Sequence, residues 1–191
     1  GGRRIGWWVI PAVIALLAGA AVAGYVAHRP EPVTPRVVRF SLDAPPDTSY
    51  HLDPVSPGPV AVSPDARSLV FTARDPDGNP ALYLRQLDTL EARRLPGTEG
   101  AQYPFWSPDS RSVGFFADGR LKRVETDGGP AISLAAANNG KGGAWSPSGV
   151  IVFAPSYDTP LHVVPEAGGE STALTAFNDE RGDNSHRHPR F

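Results

Sequence analysis

Phe105-Trp106-Ser107-Pro108-Asp109-Ser110-Arg111-Ser112-Val113-Gly114-Phe115-Phe116-Ala117 has two relatives within the same chain. Val60-Ala61-Val62-Ser63-Pro64-Asp65-Ala66-Arg67-Ser68-Leu69-Val70-Phe71-Thr72-Ala73 precedes it, and Ala144-Trp145-Ser146-Pro147-Ser148-Gly149-Val150-Ile151-Val152-Phe153-Ala154 follows it. Each copy is an apolar stub, a turn built on Ser-Pro, and an apolar run that ends in Ala. The Ser residues Ser63, Ser107 and Ser146 are 44 and 39 residues apart, and the third copy is two residues shorter between Ser and Ala. Short strands repeating with a period of about 40 to 45 residues are the mark of a β-propeller blade.

Further markers keep the same order in every unit. Leu82, Leu121 and Leu161 follow the apolar runs; Asp88, Asp127 and Glu166 come next; Leu95, Leu134 and Leu174 close the units. The acids lead into Gly128-Gly129 and Gly168-Gly169, and paired glycines permit the positive φ angles of a tight hairpin. The second unit reads as four strands, Tyr103–Trp106, Arg111–Ala117, Arg120–Glu125 and Ala131–Ala135. They are joined at Pro108-Asp109, Asp118-Gly119 and Asp127-Gly128-Gly129. Val113–Ala117 is apolar on both faces, as befits a strand between neighbouring sheets. The expected fold is therefore all-β, a propeller of four-stranded blades. The turn residues Ser63, Pro64, Asp65, Ser107, Pro108, Asp109, Ser146 and Pro147 are assigned a structural role in it.

The chain has 191 residues, 40% of them hydrophobic, enough for one real core. Its 21 Pro and 20 Gly fall between the apolar runs, where turns account for them. With 18 basic and 20 acidic residues and no basic face, nucleic acid is not an expected partner. The absence of Cys removes disulfides, thiolate catalysis and cysteine metal sites.

The chain contains no Met and opens on Gly1-Gly2. The expectation is an internal fragment of a longer protein. It would hold about three and a half blades, where a closed ring needs at least about four.

Ahead of the repeats lies a different kind of sequence. Arg3-Arg4 precede Ile5–Ala27, a run of 23 residues without a charge. As a helix it would extend roughly 34 Å, enough to cross a bilayer core of about 30 Å. Trp7, Trp8 and Tyr25 stand near its ends, where aromatic rings favour the interface. The alternative is a cleaved signal peptide, with Ala21-Val22-Ala23 as its small-residue site. The expected organisation is a cytoplasmic end over 1–4, a transmembrane helix over 5–27, a Pro-rich spacer and lead-in strand over 28–59, and repeats over 60–191. Arg29–Pro35, with its three prolines, is a stiff extended spacer. Arg36–Leu42 alternates like a strand, and Ala44–Pro59 reads as a loop. Ala20 and Gly24, four apart on one helix face, would permit a dimer through the membrane helix.

The Ser-Pro-Asp turns, Leu82-Tyr83-Leu84-Arg85 and the double-glycine hairpins resemble the TolB-like family of WD-type propeller repeats. More specific are Leu95-Pro96-Gly97-Thr98-Glu99-Gly100-Ala101, leading to Pro104-Phe105-Trp106-Ser107-Pro108-Asp109, and Arg36–Leu42 placed after a spacer and an apolar run. With these the chain is similar to the extracytoplasmic half of bacterial receptor-type serine/threonine protein kinases. The resemblance implies an N-terminal kinase, one membrane helix and a C-terminal propeller. The propeller would stand on the periplasmic side of the inner membrane and take part in signal transduction. ATP and Mg belong only to the kinase domain, which the chain does not include; no cofactor is expected in this segment. The partners implied are the membrane and an unknown protein or small ligand on the propeller. Two alternatives share the repeats: a periplasmic TolB-like binding protein, and the propeller of a dipeptidyl-peptidase-like serine hydrolase.

No catalytic residue is assigned. Gly140-Lys141-Gly142-Gly143 lacks the earlier Gly and the hydroxyl residue of a phosphate loop and reads as a blade connection. Asp75-Pro76-Asp77-Gly78-Asn79 is too short for a calcium loop and reads as a hairpin turn. Asp183, His186 and His188 read as a polar interblade loop rather than a metal cluster. Trp106 and Trp145, equivalent in the repeat, are expected in the core.

Overall fold

The computed structural model describes residues 14–20, 24–25, 41–52 and 59–191. The chain divides into two units, 1–41 and 42–191. In the first, residues 14–20 and 24–25 are helical. Most of the expected span over 5–27 lies outside the described residues, as does the spacer over 29–35. Among the described residues no helix is long and apolar enough to cross a membrane.

The described residues of the second unit form thirteen strands. They are β1 (Ser49–Tyr50), β2 (Ala61–Val62), β3 (Ser68–Arg74), β4 (Pro80–Gln86), β5 (Ala92–Arg94), β6 (Gln102–Trp106), β7 (Ser112–Ala117), β8 (Arg120–Glu125), β9 (Ile132–Ala136), β10 (Gly143–Trp145), β11 (Val150–Phe153), β12 (His162–Pro165) and β13 (Thr172–Ala173). Among the described residues of this unit, helix is confined to one short 3-10 turn, Asp179–Arg181. The strands form three antiparallel sheets, each a meander in chain order: β6-β7-β8-β9, β10-β11-β12-β13, and β3-β4-β5 with both β1 and β2 along the free edge of β3. In the second repeat the strands β6 to β9 lie within one residue of the expected bounds.

The first sheet departs from the reading in one respect. Within the expected loop, Ser49 and Tyr50 pair with Arg74 and Ala73, so the innermost strand of this sheet is made in two pieces. A two-residue strand is too short to show alternation, which is why the sequence concealed it. Of the lead-in strand expected over 36–42, residues 36–40 lie outside the described residues; Ser41 and Leu42 are not in a strand.

Alternation along the central strands assigns each side chain to one of two interfaces. Val70, Leu82 and Leu95 of the first sheet meet Val113, Phe115 and Ala117 of the second. On its other face the second sheet offers Phe116, Leu121 and Leu134 to Ile151, Phe153 and Val164 of the third. The leading face of the first sheet is covered instead by the chain's own approach. Leu42 and Tyr50 pack on Phe71, Ala73 and Tyr83, and the Tyr50 hydroxyl donates to the Leu42 carbonyl at 2.6 Å.

Sheet register corrects one sequence alignment. Val62, Trp106 and Trp145 face Leu69, Val113 and Ile151 across the ladders. Two residues further on stand Phe71, Phe115 and Phe153, all fully buried and all directed toward the preceding side. The conserved geometry is thus one Phe per sheet. Ala154 is equivalent to Phe116, not to Ala117, because the turn after Ser146 is one residue shorter. The leucine markers follow the same logic. Leu95 and Leu134 are buried between sheets, whereas Leu174 on the far side of the third sheet is 54% exposed.

Two glycines make room for one ring. Phe105 pairs with Gly114, and a Cβ on Gly114 would stand 2.3 Å from its ring; one on Gly143 of the next sheet would stand 2.6 Å away. Phe105 therefore lies between two sheets over two bare backbones. Gly114→Ala must expel that ring, and we expect a loss of roughly 1–3 kcal/mol, read as a lower urea midpoint. An unchanged midpoint would show that the ring has room elsewhere.

Candidate functional site: the inner-strand cleft and the turns beside it

The Ser-Pro turns hold the ends of the inner and second strands together. In the first, the Ser63 hydroxyl donates to Asp65 Oδ1 at 2.5 Å and accepts the Ser68 N–H at 2.9 Å. Asp65 Oδ1 also accepts the Arg67 N–H at 3.0 Å. Pro64 and Pro108 follow the Ser at the start of each turn, where a fixed φ is an advantage. The second turn repeats the pattern: Ser107 to Asp109 at 2.6 Å, Ser112 N–H to Ser107 at 2.9 Å, Arg111 N–H to Asp109 at 3.1 Å. In the third, Ser148 replaces Asp, and its hydroxyl lies 2.8 Å from that of Ser146, with Pro147 between them. The residue that reverses the chain is left-handed in all three, Ala66, Ser110 and Gly149, with φ of 56°, 63° and 75°.

These bonds set the carboxyl groups. Asp65 and Asp109 are held below the usual carboxylate range, first by the hydroxyls of Ser63 and Ser107 and then by the N–H groups of Arg67 and Arg111; desolvation opposes this. The turns also connect sheets. The Asp65 N–H donates to Ser110 Oγ at 3.1 Å, and Arg93 donates to the Thr126 carbonyl. Between the second and third sheets the first of these bonds has no counterpart, since Gly149 stands where Ser110 would be and carries no hydroxyl. A polar groove opens there, lined by Asp109, Arg111, Arg123, Glu125, Ser146 and Glu166. Glu166 closes one side by accepting the Trp145 indole N–H at 3.0 Å.

A second cleft, of about 430 Å³, lies on the inner strands β6 and β10. Its walls are Tyr103, Phe105, Trp106 and Trp145, and its rim is the terminal run His188-Pro189-Arg190-Phe191. Trp106 and Trp145 bury their rings in the two intersheet cores, as expected, while part of each faces this cleft. The Trp106 indole donates to the Ala61 carbonyl of the first sheet at 3.0 Å.

The cleft depends on a backbone feature that residue type conceals. Tyr103, Gly142 and His188 occupy one repeat position, three residues before Trp106, Trp145 and Phe191. All three are left-handed, with φ of 49°, 98° and 51°. At Tyr103 this marks a register shift between Gln102 and Phe105. Because Gly142 has no side chain, His188 reaches past it to Tyr103, ring centroids 5.6 Å apart. A Cβ on Gly142 would stand 3.0 Å from His188 Nδ1. Lys141 completes the group, its Nζ 5.4 Å from the Tyr103 centroid and its side chain buried. His188 is held below the usual histidine value, by burial first and then by Arg187, Arg190 and Lys141. The repeat signal was present in Tyr103-Pro104-Phe105-Trp106 and His188-Pro189-Arg190-Phe191; what hid it was the dissimilarity of Tyr, Gly and His.

The other sequence candidates are separated. His186 bonds Thr175 Oγ1 at 2.8 Å and lies 3.8 Å from Asp183, while His188 turns into the cleft. Among the described residues no group of three His, Asp or Glu is placed to hold a metal ion. Asp75 accepts the N–H groups of Asp77 and Asn79 at 3.1 and 2.9 Å, a hairpin turn between β3 and β4. Gly128, Gly129, Gly168 and Gly169 all have positive φ, and the Gly169 N–H bonds the Leu134 carbonyl of the neighbouring sheet at 3.1 Å.

No protein-family model matches the sequence, and no curated protein matches it. Solved structures do. A TolB protein from Agrobacterium tumefaciens is similar at 25% identity, covering 65% of this chain and 51% of its own, with a TM-score of 0.52. The β-propeller domain of the Trilobed protease from Pyrococcus furiosus is similar at 15% identity over 55% of this chain and 38% of that one, TM-score 0.42. The acylaminoacyl peptidase of Pyrococcus horikoshii is similar at 14% identity over 51% and 17%, TM-score 0.41. The chain spans about half the length of the TolB structure it matches.

The Asp109 carboxyl yields a pH prediction. A carboxyl whose value is depressed on folding stabilises the fold above its unfolded value, about 3.9, and that contribution is lost as pH falls through the folded value. Asp109→Asn should therefore lower stability at neutral pH and flatten the decline below about pH 4; parallel curves for variant and parent in acid titrations followed by tryptophan fluorescence would refute it. The sheets, their register and the TolB likeness together make the chain an all-β protein of propeller blades.

Proposed function

We propose that this chain is the extracytoplasmic interaction propeller of a membrane-anchored bacterial serine/threonine kinase, and that it signals by binding a ligand or partner. The observation that carries the reading is the order of parts: a 23-residue run without a charge, a proline-rich spacer, then TolB-like blades. Ile14, Leu16 and Leu17 are more than half exposed, as side chains bound for lipid would be. Open space beside Gly19 leaves room for a second helix. Ser63, Asp65, Ser107 and Asp109 are engaged in holding turns, and we read the role left to the blades as recognition. ATP and Mg would act only in the kinase domain.

The approach to the first sheet supports a means of transmission. Leu42 and Tyr50 are bonded to each other and packed on Phe71, so a change in this sheet would bear on the segment that leads to the spacer. A spacer rich in proline transmits orientation better than a flexible one.

The TolB likeness also favours a second reading, a periplasmic binding protein released by cleavage near Ala23. An antiserum against residues 60–191 distinguishes the two. The proposal expects it to recover, from membranes, a polypeptide that autophosphorylates on Ser or Thr with ATP and Mg. A reporter active only outside the cytoplasm, fused after Phe40, should work. Recovery of a free periplasmic protein without kinase activity would overturn the kinase reading.

A further inference from the structure

We infer that the inner-strand cleft is a binding site for a carboxylate carried on an apolar, preferably aromatic, body. This rests on the reading of the chain as an interaction module, and it names the class of ligand that module takes.

The charge of the site is one-sided. Of the side chains lining it, those of Arg190 and His188 are basic and none is acidic. Lys141 stands behind Tyr103, and Arg187 precedes His188. Burial first, and then the repulsion of Arg187, Arg190 and Lys141, hold His188 below the usual histidine value. An anion placed in the cleft would relieve that repulsion, and a guanidinium offers a carboxylate two parallel hydrogen bonds.

The walls select what the anion is attached to. Trp106, Trp145 and Phe105 line the same space as Arg190, each with only part of its side chain toward it. A bare, strongly hydrated anion would lose water against these rings without compensation. A carboxylate on an aromatic stem would set its ring against the indoles and its charge at the rim. A cleft of about 430 Å³ has the size of a small-ligand site.

The geometry also explains why the site exists between these inner strands. Gly142 leaves the gap through which His188 meets Tyr103, and its φ of 98° is one that L side chains rarely adopt. A side chain there would occupy the place of the imidazole.

The same chemistry has two sources, a free small acid and the C-terminus of a peptide. The test uses calorimetry on the full chain, and tryptophan fluorescence of the full chain with Trp7→Phe and Trp8→Phe so that only Trp106 and Trp145 report. The probes are 3-phenylpropionate, its amide, a tetraalanyl-phenylalanine peptide with a free or an amidated C-terminus, and inorganic phosphate. We expect the acids to bind and the amides to bind at least about tenfold more weakly. Arg190→Gln should cost about tenfold in affinity for the acids, Arg187→Gln should weaken them less, and Arg120→Gln on β8 should leave them unchanged. Tighter binding of the peptide acid would assign the site to a peptide terminus; tighter binding of 3-phenylpropionate would assign it to a small acid. Acids that do not bind at millimolar concentration, amides that bind equally, phosphate that binds as well as the acids, or an Arg190→Gln variant with unchanged affinity would each overturn the inference. None of these outcomes bears on whether a kinase precedes the membrane run.

Discussion

Everything in the repeat region depends on one buried phenylalanine in each sheet. Phe71, Phe115 and Phe153 sit at the same distance from the inner-strand ladder and point the same way. A short sheet cannot stand alone, because it buries only one face. Here each sheet supplies a ring to the interface before it, and the first two supply leucines to the interface after them. The arrangement propagates from sheet to sheet in the manner of a repeat protein. At the leading end the series is completed by Leu42 and Tyr50, which take the role a neighbouring sheet plays elsewhere.

The polar chemistry is subordinate to that packing. Ser63 and Ser107 each use one hydroxyl to satisfy a backbone N–H and to hold an Asp, which in turn holds another N–H. Buried backbone groups must be paired, and these turns pair them at the places where strands stop. Variation enters where the turn changes. Gly149 lacks the hydroxyl by which Ser110 joins the first two sheets, and a groove opens between the second and third. Gly142 removes a side chain, and His188 fills the space. Sites thus arise in this fold from what single residues omit.

Much of the fold was legible because spacing is a long-range signal. Three Ser-Pro turns at 44 and 39 residues, with leucines in step, locate the sheets and most strand ends. What escaped was local and conformational. Ser49-Tyr50 forms a strand too brief to alternate, and Ala154 matched Ala117 in letter only, because one turn is shorter. The cleft could not be read from residue types, since Tyr103, Gly142 and His188 share a backbone angle and nothing else. The tryptophans were rightly placed in the core, but a residue can line a core and a cleft at once.

The central claim is that the sheets cohere through these rings rather than standing as separate units. Amide hydrogen exchange on a Phe115→Ala variant tests it most directly. The account predicts that β3 of the first sheet loses protection together with β7 of the second, since the ring removed belongs to the interface they share. Loss of protection confined to β6–β9, with β3 exchanging as in the parent, would contradict it.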